Sequence, residues 1–281
     1  MEQHNAGKPV DEKTVVKELF KEISRTFKPI ATLLTMKPSD PETLAQAAKV
    51  LTSLPPGYEH LKEKYYPPIK ERLDERLQSF KKLEAAYLRG VKEKGVTFRE
   101  AGEGRWRVGI LLLETNPLRG AARFSFNREP LTKWTTVDGP ETLQVMEKEA
   151  HALLQKSSLP QEQLLSYMWI AYKEAVVRLD DQVKGQRVYI RSVASKFLAL
   201  MAEDKELAKT LNLKTDEPPL WPFLYNLDRY RLVSPSAFPA GKRLALQTGS
   251  QQEATQGHGL TINGLLPDDD YKTMCYVIPA Q

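Results

Sequence analysis

"GRWRVGILLLETNPLRGAARFSFNREPLTKW", from Gly104 to Trp134, decides the fold. Its apolar residues alternate, the period of a strand, whereas apolar residues in most of the chain recur every third or fourth position, the period of a helix. Trp106, Val108, Ile110 and Leu112 fall on one face and Arg105 and Arg107 on the other. After "ETNPLRG" the alternation resumes, with Ala122, Phe124 and Phe126 opposed by Arg123 and Ser125. Directly paired residues share a face, so the two apolar sets meet only if even-numbered residues pair with even. That pairing predicts an odd-length loop, no two-residue turn, and Arg105, Arg107 and Arg123 together on the outer face. A third strand, "LTKWTTV", adds Lys133 to that polar face and Trp134 to the apolar one.

Helices surround this insert. "DEKTVVKELFKEISRTF" spaces Val16, Leu19, Phe20, Ile23 and Phe27 for one helical face. "SDPETLAQAAKVL" opens on a capping box, Ser39 with Glu42, and has Pro41 early, where no donor is needed. "YYPPIKERLDERLQSFKKLEAAYLRGVKEKG" carries Ile69, Leu73, Leu77, Phe80, Tyr87 and Val91 as a narrow stripe between broad charged faces, so it packs along one seam. The double proline predicts its start and Gly95 its end. Asp138 with Glu141 and Ser158 with Gln161 predict two further helix starts. Another helix follows a break at Gly185. The expected fold is therefore α+β: mainly helical, with a small antiparallel β-meander at about 104–137. A domain of residues 1–216 precedes an irregular Pro/Gly-rich region, 217–281. In that region "KRLALQT" and "KTMCYVIP" are candidate short strands, and "TGSQQEATQGHG" has the composition of a mobile loop.

Composition bounds the function. The chain has 281 residues, enough for a sizeable core, and 41 basic against 36 acidic side chains, a mild excess that permits an anionic partner without demanding one. A single cysteine, Cys275, excludes an intramolecular disulfide and fits a reducing compartment. The polar N-terminus lacks a secretory signal, and the longest apolar runs fall far short of the roughly 18 residues a spanning helix needs, so the expectation is a cytoplasmic protein without membrane attachment.

Four scattered histidines offer no metal-ligand spacing, and no phosphate-binding glycine loop is present, so no metal and no cofactor is expected. "AGKR" at 240–243 is an ordinary turn. His258, "PDDD" at 267–270 and Cys275 contain the residue types of a cysteine hydrolase. "DDYK" with Glu253 contains those of a magnesium-dependent nuclease. Both readings rest on too few residues to place catalytic groups, and the chain is expected not to be an enzyme.

Two binding readings remain. "PPLWPFLYNLDRYRL" gathers Trp221, Phe223, Tyr225 and Tyr230, the residue types that dominate protein interfaces, and the seam helix suits helix–helix association. The leading expectation is thus a non-catalytic adaptor docking to a protein partner within a nucleic-acid-handling complex. The alternative is direct nucleic-acid binding through Arg105, Arg107, Arg123, Arg128 and Lys133, helped by Arg187, Arg191 and Lys196, because arginine forks suit phosphate.

Overall fold

A computed structural model describes residues 17, 21, 41–53, 59–177, 187–262 and 272–280. The first predicted helix lies almost wholly outside the described residues, as do Ser39 of the first capping box and Gly185; Lys17 and Lys21 are helical. The protein is α+β and mainly helical, with a small antiparallel sheet near the middle of the chain. Helices α1 (Pro41–Thr52) and α2 (Glu59–Glu93) precede the sheet.

Helix α2 starts eight residues before Pro67 rather than at the double proline. "EHLKEKYY" is rich in helix formers and extends the helix backward, so Pro67 and Pro68 sit inside it. There they withdraw two ladder donors that would reach the carbonyls of residues 63 and 64. The end falls where expected. Gly95 adopts φ +72° and its N–H bonds the Lys92 carbonyl, while Val96 N–H reaches back to Val91.

The sheet runs β1 (Phe98–Gly102), β2 (Arg105–Val108), β3 (Leu111–Asn116), β4 (Ala121–Phe126) and β5 (Glu129–Pro130) in spatial order, with β6 (Thr135–Thr136) on β4. "RVGILLL" is not one strand: it turns at Gly109–Ile110, and Val108 pairs Leu111, Arg107 pairs Leu112 and Arg105 pairs Glu114. Odd residues pair even ones across a two-residue turn. Gly109 makes this possible, because its φ of +55° lies where a side chain at the first turn position is strained. Leu111 and Leu113 therefore join Trp106 and Val108 on the apolar face, Leu112 moves to the arginine face, and Ile110 stands exposed at the turn. Strand β1, unmarked by alternation, lies beside β2.

Helices α3 (Pro140–Lys156) and α4 (Gln161–Val177) follow, with Gly139 rather than Asp138 as the N-cap of α3. Next come β7 (Val188–Tyr189), α5 (Ile190–Met201), α6 (Lys205–Thr210) and α7 (Trp221–Arg231). The end of the chain forms β8 (Leu244–Gln247), α8 (Gln251–Thr255), β9 (Leu260–Ile262), β10 (Lys272–Met274) and β11 (Tyr276–Pro279). The stretch expected to be a mobile loop holds α8, capped reciprocally by Ser250 and Glu253. Its S-x-x-E signature was present in the sequence.

The chain divides into two compact units, but not at 216/217. One comprises residues 1–83 with 116–120, the other residues 84–115 with 121–281. The C-terminal residues belong to the second because β11 lies between β7 and β8, pairing Tyr276 with Tyr189 and with Gln247. In that unit α5 packs on α4 and α7, and α3 packs on β4. Phe197, Phe223, Phe124, Leu143 and Met168 are fully buried there. Among the described residues no helix is long and apolar enough to cross a membrane.

Candidate functional site

The strand register brings Arg105, Arg107, Leu112 and Glu114 onto one face of the meander. Glu114 accepts hydrogen bonds from Arg123 Nε at 2.8 Å and from Ser125 Oγ at 2.6 Å, so Arg123 and Ser125 share that face. The three arginines are indeed together, opposite Trp106 and Phe124. The face is only partly open: Arg105 is exposed, whereas Arg107 is buried and Arg123 is engaged by an acid. Glu114 sits among the arginines, with Arg105 Nε at 4.0 Å, and Arg107 and Ser125 are buried. Burial pushes the Glu114 carboxyl up, but the hydrogen bonds from Arg123 and Ser125 and the charges of Arg123 and Arg105 outweigh it, so it titrates below its ordinary value.

Helix α7 supplies the other carboxylate. Asp228 is ion-paired with Arg231 at 3.0 Å and lies within electrostatic reach of Arg107. Burial raises its pKa to about 6 despite the opposing pull of Arg231, Asn127 and Arg107. Trp134, expected in the core, is 43% exposed and lies instead over Arg123, whose guanidinium is 4.8 Å from the ring centroid. Trp106 is only half-buried, edge-on to Phe98.

The remaining basic residues have settings of their own. Arg128 and Lys133 are exposed, Arg128 in a left-handed turn with φ +69°. The Arg187 guanidinium lies 4.2 Å from the centroid of the Tyr276 ring, Arg191 donates to the Gly259 carbonyl at 3.1 Å, and Lys196 pairs with Glu174 at 3.7 Å.

The aromatic segment is mostly core. Trp221, Phe223 and Tyr230 are buried, and Tyr225 is half-buried with its ring edge-on to Phe126. On α7 these aromatics turn inward, which corrects their assignment as a docking surface.

The C-terminal polar residues form a packed column. His258 stacks on Tyr189 at 4.1 Å between centroids, and Tyr189 stacks on Tyr276 at 5.1 Å. The Tyr276 hydroxyl donates to Glu253. That bond, followed by those from Ser250, holds the Glu253 carboxyl well below its usual range, at about 2. Cys275 is buried beside Gly249, where an added Cβ would stand 2.7 Å from the sulfur. "PDDD" lies outside the described residues, and among those described no group of three His, Cys, Asp or Glu residues could hold a metal.

A further candidate surface lies on α2. At 35 residues it is about 52 Å long. Between 59 and 83, among side chains that are described, only Phe80 is buried. Tyr66, Ile69, Leu73, Leu77 and Leu83 are half-buried along one stripe. Tyr66, Leu73 and Phe80 recur every seven residues, and Ile69, Arg76 and Leu83 fall three after each, the a and d spacing of a coiled-coil seam. Tyr66 and Arg76 escape a reading based on aliphatic spacing alone; the seven-residue period finds them. Comparison with family models, with curated proteins and with solved structures finds no match to the chain.

Proposed function

We propose that the protein is a non-catalytic docking protein and that the stripe of α2 from Tyr66 to Leu83 is its contact element, engaging a helical segment of a protein partner. One observation carries this reading: a long helix with a half-covered heptad seam flanked by Lys, Arg, Glu and Asp on both sides. Such a seam gains from a second helix, which buries the remaining apolar surface while the mixed flanking charges set register. Nucleic-acid binding is the less favoured reading, because Arg107 is buried and Arg123 is hydrogen-bonded to Glu114.

The test is capture from the host with tagged wild-type protein and with the double variant Leu73→Glu, Leu77→Glu, each with and without nuclease. A protein captured by the wild type, resistant to nuclease and lost in the double variant, supports the proposal. Light scattering of both proteins separates a foreign partner from a second copy of this chain. Capture that survives the double substitution, or vanishes with nuclease, overturns it.

A further inference from the structure

Within the second unit a cavity of about 300 Å³ opens between α7, β8, β10 and β11. Met168, Leu227, Leu246 and Val277 make its walls apolar. Two arginines also line it, and they differ. Arg231 has its charge answered by Asp228 at 3.0 Å. Arg243 is exposed, touches the Phe238 ring with its guanidinium 5.9 Å from the centroid, and has no carboxylate paired with it among the described residues.

Beside it is a second donor. The Tyr230 hydroxyl accepts the Leu244 N–H at 2.8 Å, an arrangement that leaves its own proton to give away. Tyr230 is 95% buried, its residue exposure being 5%, and it lies close enough to Arg243 to feel its charge. An apolar cavity with a few convergent polar groups is the usual form of a small-molecule site, and this one has the volume of a small member of that class.

We propose that this cavity binds a small monocarboxylate with an apolar body, its tail against Met168, Leu227 and Val277 and its carboxylate between the Tyr230 hydroxyl and the Arg243 guanidinium. The two donors favour an anion, and the apolar walls reject a fully polar one. This goes beyond the docking reading and uses none of its residues. "AGKR" at 240–243 then has a purpose that its turn-like sequence concealed.

The experiment is calorimetric titration of the full chain with octanoate and, as the uncharged arm, 1-octanol. Octanoate is expected to bind saturably, and octanol about tenfold more weakly or worse, because the charge-assisted bonds are lost. Arg243→Gln, at an exposed position, should weaken octanoate about tenfold and leave octanol unchanged. Ala245→Trp fills the cavity from the half-exposed wall and should abolish binding of both. If that variant does not fold, Arg243→Gln carries the test alone. No saturable octanoate binding, equal binding by wild type and Arg243→Gln, or binding that survives a folded Ala245→Trp overturns the proposal.

Discussion

The two faces of the meander are held by different physics. On one, Leu111, Leu113 and Phe124 are fully buried, and the Tyr87 ring of α2 meets Phe124 edge-on at 6.3 Å. On the other, Glu114 and Asp228 are set among Arg105, Arg107, Arg123 and Arg231. Apolar cover is non-directional and tolerates adjustment. Ionic cover depends on each charge meeting its partner, because a buried charge left alone is costly. The difference teaches that alternation reveals which residues share a face but not whether that face is wet.

The comparison is tested most strongly at Phe124. Phe124→Ala removes a fully buried ring from the apolar face and should cost about 3–5 kcal/mol in urea unfolding. A cost below that of the ionic-face variant would reverse the ranking of the two faces.

Glu114→Gln keeps the shape but removes the charge that Arg123 and Arg105 face, and should cost about 2–3 kcal/mol. The pH dependence gives the sign independently. Glu114 titrates below its ordinary 4.5 in the folded protein. Its contribution is therefore present above about 4.5 and fades as pH falls through the lower folded value. Asp228 acts oppositely. Its folded pKa lies above the ordinary 3.8, at about 6, so its contribution declines as pH rises from about 4 to 6 and is level beyond. Urea midpoints across pH 3–7 for wild type, Glu114→Gln and Asp228→Asn should show the Asp228 variant lacking the decline between about 4 and 6. Parallel curves for wild type and Asp228→Asn would break this account of the ionic face.

Trp106 sharpens the picture of the apolar face at its edge. Because the ring is half-buried against Phe98, Trp106→Ala should cost about 1–2 kcal/mol, less than Phe124→Ala by thermal denaturation. A loss as large as that of Phe124 would place Trp106 in the core after all.

The smallest effect is expected at Arg105, whose side chain is 54% exposed and 4.0 Å from Glu114. Arg105→Ser should change stability by less than about 0.5 kcal/mol. Fluorescence anisotropy of a labelled duplex in a salt series should also show no change in slope between wild type and this variant. A flatter slope in the variant would make Arg105 a phosphate contact and reopen the nucleic-acid reading.

Much of the candidate site was half-legible. Arg105, Arg107 and Arg123 were grouped correctly because a strand's period is two, whatever the strand pairs with. Glu114 lies in the same stretch, but the approach of Asp228 to Arg107 was not legible, since the two are more than 100 positions apart in sequence. The aromatic segment was misassigned for a related reason. Trp and Tyr dominate both cores and interfaces, and only burial separates the two uses. The α2 seam could be seen in the order of residues, although its start at Glu59 was hidden by the usual meaning of a double proline.

The sequence alone determined the local periods: helices by spacing of three and four, strands by alternation, the α2 stop at Gly95 and the α8 cap at Ser250 and Glu253. These depend on bonds and contacts within a few residues, whose geometry residue type largely sets. Tertiary structure alone decided the turn at Gly109, because a glycine inside an apolar run is compatible with both a strand and a reversal until Val108 and Leu111 pair. It also decided that β11 joins β7 to β8 and that Arg123 meets Glu114 while Arg107 is buried. Those outcomes depend on which distant surfaces bury each other, a free-energy balance over the folded chain that no local stretch contains.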